Sequence, residues 1–206
     1  MAIIVIANIR SRKFPHVWTH GDFITINPET KGLIISGRSD GVLNPSGIRF
    51  GPGDLYKILE RDFKQDVVDS IVVGQQREGK DSSEKVHLFL LLSDKHKTNG
   101  HHVPKKLRED IAKQITADLS RRHVPAYFWA VDQIPYNING IVFHHLTNNT
   151  NLNPGKRLEI PLRAVISEGE KGLTRRKFTA EEREVLEKYV PFFGLENLNT
   201  QLKAKL

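Results

Sequence analysis

The fold is decided by the stretch from Lys85 to Ser93, which reads KVHLFLLLS. Val86 and every second residue after it are apolar, and so are Phe89 and Leu91 between them. Because alternate residues of a strand point to opposite faces, this pattern predicts a strand that is apolar on both faces. Such a strand is covered on both sides by other elements. We therefore expect it at the centre of a sheet.

A helix is predicted shortly after this strand, from Pro104 to about Leu119. Proline is favoured in the first turn of a helix, where no amide hydrogen is needed for the helical ladder. The apolar residues of this segment recur at helical spacing and form one stripe: Leu107, Ile111, Ile115 and Leu119. A stripe of this kind packs one face of a helix on a sheet.

The rest of the chain alternates short strands with helices. Near the start, Asp22–Ile26 and Leu33–Ser36 predict a hairpin, because turn-forming residues connect them. The other predictions are strands at 67–74 and 126–131, a short helix at 54–61, a helical run from Leu158 and a helix start at Thr179, where Glu182 completes a capping box.

Composition excludes several classes of protein. The chain has 206 residues, of which 38% are hydrophobic, so it is long and apolar enough to bury a core. It contains no cysteine. A disulfide framework, a thiolate nucleophile and a thiolate zinc site are therefore excluded.

The apolar run at Ala2–Ala7 is far shorter than the roughly 20 residues of a membrane-spanning helix. It also lacks the basic leader and the cleavage site of a secretory signal. We expect a soluble, cytosolic protein with no membrane partner.

The net charge of +7 raises the question of nucleic-acid binding. Basic residues are interspersed with acidic ones, and no helix carries a one-sided basic stripe with aromatic residues. The excess charge suits a polyanionic small molecule equally well. Neither adjacent histidine pair, at 101–102 and 144–145, has a carboxylate at ligand spacing, so we predict no metal site.

Three segments in a fixed order carry the strongest functional signal. The first is HGD, ending at Asp22; the second, at 37–50, reads GRSDGVLNPSGIRF; the third, at 134–140, reads IPYNING. Together they resemble the C-terminal part of the adenylate-forming superfamily, and in detail the acetoacetyl-CoA synthetase family. The resemblance begins at about Phe14. It implies an α+β fold, with a small mixed sheet covered by helices.

The resemblance also implies roles for individual residues. Asp22 would accept hydrogen bonds from two ribose hydroxyls, and Arg38 would add donors to the ribose or phosphate. Asp40 stands at the hinge position, where the C-terminal domain swings between an adenylating and a thioester-forming pose. Gly47 and Arg49 would face CoA or a phosphate. The substrates would be a small carboxylate, ATP with its Mg²⁺, and CoA.

The catalytic lysine departs from the family pattern. In the family a lysine directly follows the last glycine of the third motif, whereas here Gly140 is followed by Ile141. Lys156 resumes the pattern after residues 141–155. Because a catalytic ammonium must be placed within about half an ångström, we expect this insert to displace Lys156. We hypothesise that 141–155 translates a retained intron, which an uninterrupted transcript through these residues would contradict.

A second departure is larger. The family carries its phosphate loop and acyl pocket on a big N-terminal adenylation domain, and no such loop occurs in this sequence. We predict three regions: a hairpin remnant of that domain at 1–39, the lid domain at 40–170 with its insert, and a helical tail at 171–206. Alone, the chain is expected to bind no cofactor stably and to form no acyl-adenylate.

The resemblance implies that the chain is a C-terminal fragment of an acetoacetate–CoA ligase, and two other functions compete with this interpretation. The first is a non-catalytic nucleotide- or CoA-binding module, or an inert truncated one, which calorimetry with ATP and CoA would distinguish. The second is a basic nucleic-acid-binding domain, whose retention on DNA would depend on salt.

Overall fold

The computed structural model describes residues 3–7, 19–38, 41–97, 100–137 and 156–194, with the backbone alone at 3–7, 19–25, 34–38 and Lys156. Its strands are β1 (Ile3–Ala7), β2 (Thr19–Ile26), β3 (Leu33–Arg38), β4 (Val67–Gln75), β5 (Lys85–Leu92), β6 (Tyr127–Ala130), β7 (Tyr136–Asn137) and β8 (Lys156–Arg157). Its α-helices are α1 (Pro52–Asp62), α2 (Lys105–Asp118), α3 (Glu159–Glu168), α4 (Glu170–Thr174) and α5 (Ala180–Glu187).

The central sheet has the order β4–β5–β6, so β5 is its middle strand as predicted. β5 pairs antiparallel with β4 and parallel with β6. A parallel neighbour requires a crossover connection, and α2 supplies it between β5 and β6. The result is a small mixed sheet covered by helices, which confirms the predicted α+β class.

Two apolar clusters cover the two faces of this sheet. On one face, alternate residues of β5 pack with α1 and α2; this first cluster includes Val86, Leu88, Leu90, Leu55, Ile58 and Ile111. On the other face, Phe89 packs with α3 and the turn after α5; this second cluster includes Ile71, Trp129, Leu162, Ile166, Tyr189 and Phe192. The prediction of a strand buried on both faces is confirmed.

The predicted stripe on α2 is one residue too long. Leu107, Ile111 and Ile115 are buried, but Leu119 is 37% exposed. The helix ends at Asp118, and Leu119 adopts a non-helical φ of −119° and ψ of −84°. Because its backbone has left the helical path, its side chain no longer follows the apolar face.

The N-terminal hairpin forms as predicted and gains a third strand. β2 pairs antiparallel with both β1 and β3. The Asn27 side chain accepts the amide hydrogens of Glu29 and Thr30, which stabilises the turn between β2 and β3. The apolar run near the start of the chain thus adds β1 to the edge of the hairpin.

The helices that follow β8 close the second cluster. Thr179 and Glu182 form the predicted capping box at the start of α5. α3 and α4 approach so closely at Gly172 that a Cβ there would lie 2.5 Å from the carbonyl of Ala164. Among the described residues, no helix is both long and apolar enough to cross a membrane.

Candidate functional site

The hairpin brings two predicted site residues together. Asp22 on β2 and Arg38 on β3 are direct partners in the antiparallel register. The next pair in the ladder is Phe23 with Gly37, followed by an irregularity before Ile24. The backbones of these two residues are thus directly opposed at one end of the hairpin.

The segment after the predicted hinge is built into the central core. Asp40 itself lies outside the described residues. The backbones of Leu43 and Phe50 exchange two hydrogen bonds of 2.9 and 3.0 Å. Their side chains are 1% and 6% exposed and join the first cluster. From Leu43 onward, this segment therefore belongs to the helix-covered sheet.

The tip of that segment is exposed. Pro45–Gly47 forms a single 3₁₀ turn between the two paired residues. Gly47 has φ of +87°, a conformation that a glycine adopts without strain. Arg49 is exposed beside it. The two residues predicted to face CoA or a phosphate therefore lie on a surface loop.

Glu84 ties the segment to the core. Its Oε2 accepts the amide hydrogen of Asn44 at 3.2 Å and a guanidinium hydrogen of Arg163 at 3.1 Å. Arg163 also donates to the Val42 carbonyl at 3.4 Å. Burial raises the pKa of Glu84, while Arg163 and the Asn44 amide act in the opposite direction.

Gly74 makes room for this carboxylate. A Cβ at position 74 would lie 1.4 Å from Glu84 Oε1. Sequence reasoning missed Glu84, Arg163 and Gly74, because Glu84 follows a charged turn and Gly74 lies within β4, one residue before its end. No local pattern marks any of the three as a contact of the segment after the predicted hinge.

Lys156 lies on β8, which pairs with β7. Asn137 is the register partner of Lys156, and Tyr136 is the partner of Arg157. Asn137, in the middle of the third motif, is thus directly opposite Lys156 in a two-stranded ladder. The insert at 141–155 lies outside the described residues, and the displacement of the lysine side chain stays a prediction.

A buried carboxylate connects both of these strands to the central sheet. Asp69 on β4 is 9% exposed. Its Oδ2 accepts the hydroxyl hydrogen of Tyr136 at 2.5 Å, and its Oδ1 accepts a guanidinium hydrogen of Arg157 at 2.9 Å. Burial raises the pKa of Tyr136, which keeps the phenol protonated as a donor.

Tyr56 on α1 provides a second set of contacts to β8 and to the start of α3. The Arg157 guanidinium lies over its ring, 4.3 Å from the centroid. The Tyr56 hydroxyl donates to Glu159 Oε1 at 2.7 Å and accepts the amide hydrogen of Val72 at 3.0 Å. Burial raises the pKa of Tyr56 well above its ordinary value. Sequence reasoning missed both Asp69 and Tyr56, since their partners are distant along the chain.

The predicted site residues therefore occupy three places. Asp22 and Arg38 lie on the hairpin, Gly47 and Arg49 on the exposed loop, and Lys156 on β8. A shallow open depression along α2, lined by Ala112, Lys113, Thr116, Ala117, Arg121 and Val124, contains none of them. Within the part of the chain that the structure describes, no cluster of His, Asp or Glu side chains could hold a metal ion.

The fold is that of the C-terminal domain of adenylate-forming enzymes. It superposes on acetoacetyl-CoA synthetase from Streptomyces lividans with a TM-score of 0.61 and 25% sequence identity. The superposition covers 87% of this chain and 23% of that one. The prediction of a lid-type fold from the three motifs is confirmed.

The sequence is similar to acetoacetyl-CoA synthetases in particular, as predicted. It is 45% identical to that of Xenopus tropicalis over 128 residues, which are 62% of this chain and 18% of the relative. A malonamoyl-CoA synthetase of Penicillium aethiopicum is 41% identical over 128 residues, covering 62% of this chain and 17% of that protein. The chain thus spans less than a fifth of the length of these curated relatives. No protein-family model matches it.

Proposed function

We propose that this chain is the C-terminal part of an acetoacetate–CoA ligase, which converts ATP, acetoacetate and CoA to acetoacetyl-CoA, AMP and diphosphate. The 45% identity to the acetoacetyl-CoA synthetase of Xenopus tropicalis is the observation that carries this proposal. The structural likeness to a second acetoacetyl-CoA synthetase supports it independently.

Nucleotide binding is assigned to Asp22 and Arg38. Ligation through an acyl-adenylate requires that the ribose be held while charge develops at the α-phosphate. A carboxylate accepts hydrogen bonds from two ribose hydroxyls, and a guanidinium offers a planar fork of donors to the ribose or phosphate. Their direct pairing across β2 and β3 supports a joint role.

The remaining roles follow the two half-reactions. Lys156 stabilises the charge that develops when the carboxylate attacks the α-phosphate. Asp40 acts as the hinge, which is supported by the firm packing of the segment from Leu43 onward. Gly47 and Arg49 face CoA or a phosphate, because they are exposed just beyond the hinge. Mg²⁺ accompanies ATP as part of the substrate.

The proposed partner is an N-terminal adenylation domain that supplies the phosphate loop and the acyl pocket. The 206 residues alone are therefore inactive, and they hold no cofactor stably. In the proposed division, 1–39 closes the adenylation domain, 40–170 is the lid with its insert at 141–155, and 171–206 is a tail. The assembled ligase is cytoplasmic.

Complementation tests this proposal. The full chain is joined to the adenylation domain of the Xenopus tropicalis relative, and release of diphosphate and formation of acetoacetyl-CoA are measured. Activity is expected with the unaltered chain, because the backbone of Lys156 pairs with Asn137 in spite of the insert. Lys156→Ala lowers the adenylation rate by about a hundredfold or more, because a preorganised charge is lost. Lys105→Ala, at an exposed lysine of α2, is the matched control.

Two outcomes contradict the proposal. One is a joined protein that folds, binds ATP and forms neither product. The other is equal activity of Lys156→Ala and Lys105→Ala, since the ammonium would then have no part in the adenylation step.

A further inference from the structure

We propose that Asp69 is the positioning residue for Lys156, and that it holds the β7–β8 pair regardless of the length of the connection between them. This proposal rests on the proposed function only for the part that Lys156 plays in catalysis. The structural claim concerns which buried group fixes the backbone that carries the lysine.

The register of β7 and β8 is the first argument. Asn137 pairs with Lys156, so residues 138–155 connect two directly opposed positions. Without 141–155, only residues 138–140 would remain between them. Three residues are a common length for the loop of a hairpin. The observed register is therefore the one that a short hairpin at the third motif would have.

The placement of Asp69 is the second argument. The ladder between β4 and β5 shifts register between Val67 and Asp69. An irregularity of this kind redirects a side chain relative to the regular alternation of a strand. Here Val68 is 53% exposed, whereas both Asp69 and Ser70 are buried. The shift allows a carboxylate to point inward from a strand whose buried positions also include the apolar residues Ile71, Val72 and Val73.

The third argument is that the two carboxylate oxygens of Asp69 bind residues of different strands. Oδ2 receives the hydroxyl of Tyr136 on β7, and Oδ1 receives the guanidinium of Arg157 on β8. The Ser70 amide also donates to Oδ1, at 2.7 Å. One buried carboxylate therefore holds both strands, and both hydrogen bonds to it are strengthened by its charge.

The residues on either side of the lysine are fixed as well. Arg157 lies on the ring of Tyr56, and Glu159 accepts the Tyr56 hydroxyl. The amide of Leu158 donates to the carbonyl of Pro135 at 2.9 Å. The backbone at Lys156 is thus held from its partner strand and from its C-terminal side. Neither set of contacts passes through residues 138–155.

Amide hydrogen exchange of the full chain provides the first test. Asp69→Asn removes the charge but keeps a side chain of the same shape, and Tyr136→Phe removes one of the two links. Exchange at 156–158 is expected to speed up about tenfold or more in Asp69→Asn and by less in Tyr136→Phe. The control is Asp94→Asn, at an exposed ion pair with Lys97, and it is expected to leave the exchange rate at 156–158 unchanged.

Deletion of 141–155 is the complementary variant. Exchange at 156–158 is expected to stay the same in this deletion, because the anchoring contacts lie outside the deleted segment. A deletion that alters exchange there as much as Asp69→Asn does would overturn the proposal.

Separate half-reactions of the joined protein test the link to catalysis. Asp69→Asn is expected to slow adenylate formation about tenfold or more, and to leave thioester formation from supplied acetoacetyl-adenylate unchanged. A general loss of structure would slow both half-reactions. Arg157→Lys keeps the ion pair with Asp69 and is expected to retain most of the adenylation rate.

The outcomes separate this proposal from the proposed function. If Asp69→Asn changes neither exchange nor adenylation, or slows both half-reactions alike, the positioning role is wrong even where the joined protein is active. If exchange at 156–158 responds to Asp69→Asn while the unaltered joined protein makes no acetoacetyl-CoA, the anchoring stands and the ligase function fails.

Discussion

At the scale of single residues, a few buried polar side chains fix the positions of separate chain segments, which non-directional apolar packing does less specifically. Glu84 and Asp69 are both carboxylates on or beside the central sheet, and each accepts hydrogen bonds from two separate segments. A buried charge is costly unless it is paired, so each carboxylate strongly favours one arrangement of its partners. Glu84 fixes the segment after the proposed hinge, and Asp69 fixes β7 and β8.

Gly74→Ala should be strongly destabilising, because the new methyl group would overlap the Glu84 carboxylate. We expect a loss of about 2 kcal/mol or more in the free energy of unfolding, since a buried ion pair must move. Urea denaturation measures it. Gly32→Ala is the control, because the nearest atom to its Cβ is the Thr30 hydroxyl at 3.3 Å.

The double variant Gly74→Ala with Glu84→Ala identifies the cause. Its loss should be smaller than the sum of the two single losses, because the clash disappears with the carboxylate. Strict additivity would show that the two positions do not interact.

At the scale of elements, regular patterns predicted the structure well, and exceptions arose where the backbone changes direction. β5, the hairpin and the capping box were predicted from local spacing. Leu119 was misassigned because periodicity does not show where a helix ends. The inward turn of Asp69 was also missed, since a shift in a strand ladder depends on the partner strand.

The capping box at α5 should contribute measurably to stability. Thr179→Ala removes the acceptor for the Glu182 amide and disrupts the reciprocal bond. A loss of about 1 kcal/mol is expected. Thermal unfolding is the measurement, and Thr116→Ala, at an exposed position in the last turn of α2, should cost nothing or stabilise slightly. Equal effects of the two substitutions would argue against a role for the cap.

At the scale of the whole molecule, the sequence predicted the segments that are proposed to carry the site, but not the contacts that hold these segments in place. The three motifs predicted Asp22, Arg38 and Lys156 as separate candidates, and strand pairing then placed Asp22 opposite Arg38. The contacts of Asp69, Tyr56 and Glu84 join residues far apart in sequence. A local sequence pattern covers only neighbouring residues, so it could not have revealed these long-range contacts.

Stability of the whole fold should depend on pH through His87. Burial, with the nearby charges of Lys85 and Arg77, lowers its pKa to about 3. Its Nδ1 accepts the indole hydrogen of Trp129 within the core. Between pH 6.5 and pH 3 the unfolded chain therefore takes up a proton that the folded chain does not, and stability falls as pH falls.

From pH 7 to pH 5, the expected loss attributable to His87 is about 2 kcal/mol. Urea denaturation at each pH measures it, above the range in which most carboxylates titrate. His87→Gln should remove this slope, whereas His102→Asn, at an exposed histidine, should keep it. An unchanged slope in His87→Gln would assign the pH dependence to another group.

The two-faced burial of β5 has a further consequence for the alignment of this strand. Its alternate residues supply both clusters, so a slip by one position would exchange the contents of the two cores at once. His87 would then enter the aliphatic side, and the small Val86 would face the aromatic side. The correct alignment of this eight-residue strand is thus specified by both clusters. An insertion or deletion of a single residue in it would disrupt the packing of both clusters.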